Sequence, residues 1–208
     1  MFSRHSLIMG LAVLLASCVA GCGAPRPVKY YVLDVNPAPA TSVNPQFPVS
    51  LLVSRVVASQ LYRDDRLVYG SGPVQLGTYD YDRWSQPPAD LVQDTIVMAL
   101  RSTGQYKSVS RVASSVRGDY VLRSRLIAMY GVDQPALMAR FTIQFELYDP
   151  ANRAIVWSHP YTHDEPVQGK DVPDIVLAMD ANVKACMQDL TTNLAQYFTA
   201  NPPKPAAQ

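Results

Sequence analysis

The segment LMARFTIQFEL, residues 137–147, decides the fold of this chain. Apolar and polar side chains alternate along it, and this period of two residues predicts a β-strand with one face in a core. Alternation of this kind is typical of antiparallel sheets whose other face meets water. The sequence DPAN at 149–152 predicts a turn. Segment 154–159 then predicts the returning strand of a hairpin.

Six segments upstream of this hairpin predict further strands. Segment 49–58 is apolar almost throughout, which is typical of a strand buried on both faces. The charged residues at 64–65 and 80–83 are interpreted as solvated turns. Side chains at even positions of 119–130 are expected to share one face: Tyr120, Leu122, Leu126, Ala128 and Tyr130. The six segments are 29–35, 49–58, 66–69, 74–79, 106–112 and 119–130.

A first helix is predicted over 86–103. Ser85 is placed to cap it, two prolines suit its first turn, and Gly104 is placed to end it. Trp84, directly before the expected cap, is placed to pack over the first turn as a hydrophobic staple. The apolar face expected at helical spacing consists of Leu91, Val92, Thr95, Ile96, Ala99 and Leu100.

A second, longer helix is predicted over 171–198. Its apolar stripe repeats at three and four residues, so the helix is expected to pack on the sheet. Cys186 lies within this stripe and is interpreted as a small buried apolar residue. The stripe consists of Val176, Met179, Val183, Cys186, Met187, Leu190, Leu194 and Tyr197.

These elements predict one α+β domain over 29–198. In it, the two main helices, about 86–103 and 171–198, pack on a mixed β-sheet. Segment 199–208 contains three prolines and is expected to be a flexible tail. Frequent tyrosine (12) and proline (17) suit an exported, β-rich domain with many turns.

The N-terminus has the pattern of an export signal. Basic and polar residues precede an apolar run at 7–19, which is shorter than the roughly 20 residues that a membrane span needs. The run ends in VAGC, which resembles the lipobox of bacterial lipoproteins and makes Cys22 the predicted lipidated residue, with palmitate among its acyl chains. Residues 1–21 are then the signal peptide, and 22–28 a lipidated tether. LASC, ending at Cys18, is the alternative site.

Charge and thiol content exclude some classes of function. With 18 basic and 17 acidic residues the net charge is +1, so nothing favours nucleic-acid binding. After removal of the signal and lipidation of Cys22, Cys186 is the one remaining thiol, and one thiol forms no internal disulfide.

No catalytic constellation is found in the sequence. The nearest to one is HPYTHDE at 159–165, with His159, His163, Asp164 and Glu165. On a strand, the two histidines would lie about 13 Å apart on one face, which is too far for a shared zinc ion. No metal, no cofactor and no enzymatic activity are therefore expected.

An ordered set of short motifs carries a family resemblance. After the lipobox come Tyr30-Tyr31-x-Leu33, the apolar strand 49–57, RLVY at 66–69, YDRW at 81–84, DYVL at 119–122 and Val156-Trp157. In this order they resemble the ABC-type transport auxiliary lipoprotein family, over about 27–198. The family has no catalytic residues to carry over, and only Cys22 corresponds by position, as the lipidated residue.

The resemblance implies a transport role. Members serve systems with MCE-domain proteins, which move lipids or other hydrophobic molecules between the inner and outer membranes. The implied partners are a periplasmic MCE-domain protein and, through it, an inner-membrane permease and ATPase. Because such tunnels are symmetric rings, a homo-oligomeric ring of this chain is also expected.

The expected location is the outer membrane, with the domain facing the periplasm. Gly23 follows the lipidated cysteine, so the aspartate that retains enterobacterial lipoproteins in the inner membrane is missing. Aromatic candidates for partner contact are Tyr30, Tyr31 and Trp84. Two alternative functions remain open, an outer-membrane assembly lipoprotein and an envelope hydrolase.

Overall fold

The computed structural model describes residues 26–34, 45–70, 74–113, 117–133 and 136–203. Within these residues, nine strands form one sheet and two α-helices pack against it. The strands are β1 (Lys29–Tyr31), β2 (Phe47–Val53), β3 (Val57–Ala58), β4 (Arg66–Gly70), β5 (Leu76–Trp84), β6 (Tyr106–Arg111), β7 (Tyr120–Asp133), β8 (Leu137–Asp149) and β9 (Ala154–Pro166). The helices are α1 (Pro88–Ser102) and α2 (Val172–Ala200), and a short 3-10 helix covers Gln60–Tyr62. The α+β prediction is confirmed.

The long strand β7 organises the sheet. One of its edges pairs antiparallel with β8 along its length, and β9 pairs antiparallel with β8. Its other edge pairs in parallel with β2, then β3, then β4. Beyond these, β6 pairs with β2, while β5 and then β1 continue the sheet from β4. The sheet is therefore mixed, as predicted, and β1 and β9 lie at opposite edges.

The hairpin of β8 and β9 is confirmed. The apolar face of β8 is fully buried from Ala139 to Leu147. The Asp149 carboxylate accepts hydrogen bonds from the backbone N–H groups of Ala151 and Asn152, which fixes the turn. The predicted end of β9 at residue 159 is wrong, because the strand continues through Pro160 to Pro166. Proline is tolerated there because β9 is an edge strand with one unpaired side. The buried residues of β8 are Ala139, Phe141, Ile143, Phe145 and Leu147.

The predicted common face of β7 is wrong in its second half. A β-bulge at Ile127 separates the pair Leu126–Ile143 from the pair Ala128–Thr142. One extra residue moves all later side chains to the other face of a strand. Met129 therefore continues the core face, opposite Phe141, whereas Ala128 and Tyr130 lie with the polar side of β8.

The bounds of three other strands differ from the prediction. The first strand ends at Tyr31, the apolar run 49–58 is divided between β2 and β3, and β5 extends to Trp84. Residues 80–83 therefore belong to a strand and do not form a turn. Two of their charged side chains have partners: Asp82 accepts from the Tyr31 hydroxyl at 2.9 Å, and Arg83 pairs with Asp65 at 2.7 Å.

Helix α1 is confirmed, but its start is not capped as predicted. The N-cap residue is Pro87, and the N–H of Ser85 donates to the carbonyl of Tyr31 instead. Gly104 adopts a positive φ of 62° after the last turn, as its predicted role requires. Trp84 is only 3% exposed and belongs to the core, as expected for a staple.

Helix α2 confirms the predicted long helix and begins with a capping box between Asp171 and Asp174. Cys186 is buried as predicted. The stripe ends on Phe198, which is 1% exposed, and not on Tyr197, because the spacing after Leu194 is four residues. Among the described residues, neither helix is long and apolar enough to cross a bilayer.

Candidate functional site

The predicted lipidation sites lie outside the described residues. Cys18 and Cys22 both precede residue 26, where the description begins. The remaining candidates are the residues of β9 and the aromatic side chains near β1.

Side chains alternate between the two faces of β9, so the candidate residues of segment 159–165 do not all lie on the same face. His159 pairs in register with Phe145 and faces α2, where its Nε2 lies 2.5 Å from the Asp189 carboxylate. His163 lies on the same face, 3.1 Å from Glu165. Asp164 points to the opposite face of the sheet. Across the described ranges, no three histidine, cysteine or acidic side chains are grouped so that they could hold a metal ion.

The face of β9 toward α2 is used for packing. Asn182 of α2 is fully buried, and its amide donates to the backbone carbonyls of Ala139 and His163, each at 2.9 Å. Its side-chain oxygen accepts from the Tyr161 hydroxyl at 3.1 Å. Burial raises the pKa of Tyr161 to about 12, so this hydroxyl stays protonated. These contacts join the helix to two strands, which is a structural role.

The three aromatic candidates differ in exposure. Tyr30 is 65% exposed, whereas Trp84 is buried and offers almost no surface to a partner. Tyr31 is half-buried and points toward β5. Burial, together with its hydrogen bond to Asp82, raises the pKa of Tyr31 to about 12. Of the three, Tyr30 alone presents most of its side chain to solvent.

The segment from β1 onward is attached to the domain at two places. It pairs in parallel with β5, where Lys29 lies beside Asp82. Beyond the strand, the N–H of Asp34 donates to the Asp180 carboxylate of α2 at 2.8 Å. Lys184 joins the same group, 2.7 Å from Asp180 and 3.5 Å from the Asp34 carboxylate. The hydrogen bond to Asp180 raises the pKa of Lys184. The start of the described chain is therefore held firmly on the domain.

The face of the sheet opposite the helices carries arginine and tyrosine side chains. Arg140 forms two hydrogen bonds with Asp164, at 2.7 and 2.6 Å, and lies 6.0 Å from the centre of the Tyr130 ring. Arg123 lies over the Tyr148 ring at 3.9 Å. Arginine and tyrosine are enriched where proteins bind each other. This face was not predicted as a candidate site, although the polar half of the alternation at 137–147 is the pattern that indicates it.

An open cavity of about 750 Å³ lies where β4, β5, β7 and β8 approach the start of α2. The Tyr69 and Tyr79 rings meet there edge to face, with centroids 4.9 Å apart. A side chain at Gly131 would press on Ile175 at 3.2 Å, so glycine permits the close approach of α2. The lining also includes Asp133 and Lys170. This mixture of aromatic and charged groups suits binding better than a reaction.

Comparison with known proteins places these features in a family. The model of the ABC-type transport auxiliary lipoprotein component matches residues 31–191. No curated protein is significantly similar in sequence.

Solved structures show the same fold. Protein XCC0632 from Xanthomonas campestris, of the DUF330 family, is 20% identical with a TM-score of 0.76, over 84% of this chain and 98% of that one. An uncharacterised protein is 15% identical with a TM-score of 0.63, over 81% and 99%. The hypothetical protein CT253 from Chlamydia trachomatis is 8% identical with a TM-score of 0.52, over 74% and 99%.

The fold and the match together define the class, an auxiliary lipoprotein domain with one mixed sheet and two helices. The chain belongs to the ABC-type transport auxiliary lipoprotein family.

Proposed function

We propose that this protein is anchored by lipid on Cys22 in the outer membrane, faces the periplasm and docks an intermembrane transport system. Its partners are an MCE-domain periplasmic protein and, through it, an inner-membrane permease and ATPase. The cargo is a lipid or another hydrophobic molecule, and the protein itself performs no reaction. The family match carries this proposal, because it associates the chain with ABC-type transport.

The attachment of the N-terminal segment supports an anchoring role. Only six residues separate Cys22 from Lys29, where β1 begins. Pairing with β5 and the contacts of Asp34 with α2 then hold this segment on the domain. Several acyl chains bind a membrane firmly, whereas one binds only reversibly. A domain held in this way keeps a fixed position for a partner that crosses the periplasm.

Lipidation is tested by palmitate labelling in cells. Wild type, Cys18→Ala and Cys22→Ala are compared. Label is expected in wild type and in Cys18→Ala and is expected to be lost in Cys22→Ala, since the thiol is the acylated group. Label that survives in Cys22→Ala and disappears in Cys18→Ala would assign the anchor to the alternative cysteine.

The partners are tested by crosslinked capture from the cell envelope. Wild type is expected to retain an MCE-domain protein, a permease and an ATPase. Arg123→Glu changes the arginine and tyrosine face of the sheet and is expected to weaken capture, whereas Lys107→Glu, also exposed but on β6, serves as the matched control. Capture of outer-membrane assembly factors in place of these three proteins would favour the assembly alternative.

The absence of catalysis is tested at the segment nearest to a reactive cluster. Alanine replacements at His159, His163, Asp164 and Glu165 are expected to leave transport-dependent detergent resistance intact. Loss of resistance, with folding, lipidation and partner capture retained, contradicts the non-enzymatic role and favours a hydrolase. Native mass spectrometry of the extracted lipoprotein tests the expected ring, since a monomer would contradict it.

A further inference from the structure

We propose that Arg26, Val28, Tyr30 and Tyr81 form a membrane-contact patch that rests on the lipid headgroup layer beside the anchor. This inference depends on the proposed lipidation of Cys22. It adds which face of the domain meets the bilayer and which side chains do so.

The four side chains of the membrane-contact patch lie together at one edge of the sheet. Strand β1 is the edge strand, and its register places Tyr30 beside Arg83. Because alternate residues of a strand share a face, Tyr81 lies on the same side as Arg83 and Tyr30. The Arg26 guanidinium lies over the Tyr81 ring, 5.2 Å from its centre. Val28 precedes Tyr30 by two residues, directly before β1 begins.

The patch is exposed, whereas Tyr31 and Trp84, on the opposite side of the same two strands, are packed against the domain. Val28, Tyr30 and Tyr81 are 41%, 65% and 40% exposed. On the other side, Tyr31 reaches Asp82 and Trp84 enters the core. The described residues therefore present apolar and aromatic groups outward at this edge.

The length of the tether determines what can cover the patch. Three residues separate Cys22 from Arg26, and the four backbone steps between these two residues span at most about 14 Å when fully extended. A domain of this size is about 40 Å across. Since the acylated cysteine lies in the membrane surface, the edge that carries Arg26 must stay close to that surface, and the far side cannot reach it.

The chemistry of the patch suits lipid headgroups. Tyrosine is enriched at membrane interfaces because its ring is apolar and its hydroxyl is polar. A headgroup layer of roughly 5–7 Å lies outside the hydrocarbon, so the reach of the tether brings the Arg26 guanidinium to lipid phosphates. Asp80 and Asp82 on β5 offset part of the positive charge of Arg26 and Lys29. Contacts of the aromatic rings and apolar groups with lipid therefore contribute more to membrane binding than the net charge of the patch does.

The test uses the full lipidated protein in vesicles of phosphatidylethanolamine and phosphatidylglycerol. A nitroxide is attached at Tyr30→Cys or at Ile155→Cys, and its accessibility to oxygen and to a water-soluble nickel complex is measured. Ile155 is also exposed, at 52%, and is the second residue of β9, the edge strand at the other end of the sheet. Five strand spacings, about 24 Å, separate β1 from β9. The unsubstituted protein is treated with the same nitroxide reagent, and its signal shows how much label attaches to the buried Cys186.

The label at position 30 is expected to favour oxygen over the nickel complex, and the label at 155 to favour the nickel complex. Val28→Ser with Tyr81→Ser is expected to return the label at 30 to water. Val57→Ser with Ile127→Ser, which changes two residues exposed elsewhere, is expected to leave it in place.

Three results would overturn the inference. The first is that the labels at 30 and 155 both remain in water although the protein is anchored. The second is that both labels contact lipid. A label at 30 shielded from both reagents would show that a second copy covers the edge. Vesicle flotation and the mass of the acylated N-terminal peptide report the anchor separately, so failure of lipidation is distinguished from failure of the patch.

Discussion

Replacing Asn182 with alanine tests how α2 is held on the sheet. The side chain is fully buried and makes three hydrogen bonds, two to strand carbonyls and one to the Tyr161 hydroxyl. Each contributes about 1 kcal/mol net. Asn182→Ala is therefore expected to lower the free energy of unfolding by about 3 kcal/mol. For a domain of this size that corresponds to a fall in Tm of roughly 6–12 °C.

The measurement is urea and thermal unfolding of a form that begins at residue 26, followed by circular dichroism. Tyr161→Phe removes the third hydrogen bond and is expected to cost about 1 kcal/mol. The double variant measures the coupling between the two side chains. Gln196→Ala, at an exposed position of the same helix, is the control. If Asn182→Ala unfolds at the wild-type midpoint, apolar packing alone holds the helix and the reasoning is refuted.

Three further predictions concern other parts of the structure. Trp84→Ala is expected to cost about 3–5 kcal/mol, because the ring is buried in the core, whereas Tyr30→Ala, at an exposed position, is expected to leave the urea midpoint unchanged. An unchanged midpoint for Trp84→Ala, together with lost complementation, would instead assign Trp84 to an interface. The hydrogen bonds from Arg140 lower the pKa of Asp164 below its unfolded value, so their stabilisation is complete above about pH 4 and is lost as the pH falls through the folded pKa. Asp164→Asn is thus expected to lower the free energy of unfolding by ~1 kcal/mol at pH 7, and the urea midpoints of wild type and variant are expected to converge in acid. A difference between the two midpoints that persists in acid contradicts this prediction. Burial raises the pKa of the Cys186 thiol, so a disulfide reagent is expected to modify it only after urea unfolding, and rapid labelling of the native protein would show that the thiol is accessible.

The proposed function and the membrane-contact patch place different demands on the molecule. Docking needs a surface that a partner can reach, and the arginine and tyrosine face of the sheet is open to solvent at Arg123. Membrane contact needs a surface near the anchor, which is the edge that carries Tyr30. Because these are different parts of the domain, one protein can use both at once.

The sequence alone determined those features that depend on short-range periodicity. Alternation at 137–147 fixed β8 and its buried face, and spacings of three and four residues fixed α2 and the burial of Cys186. Gly104 ended α1 because a positive φ is accessible to glycine. The family resemblance rested on motifs in sequence order, and the family match confirms it. The lipidation of Cys22 also comes from sequence alone and stays a prediction.

The tertiary structure decided what depends on pairing between distant residues. The bulge at Ile127 exchanged the faces of β7, and its position follows from the register with β8, which no local pattern contains. Residues 80–83 became a strand because β1 and β4 pair with them on either side. The contact of Asp34 with Asp180 joins residues 146 positions apart. Local sequence sets the conformations that a segment favours, whereas hydrogen-bond partners supplied by the rest of the chain select the one that it adopts.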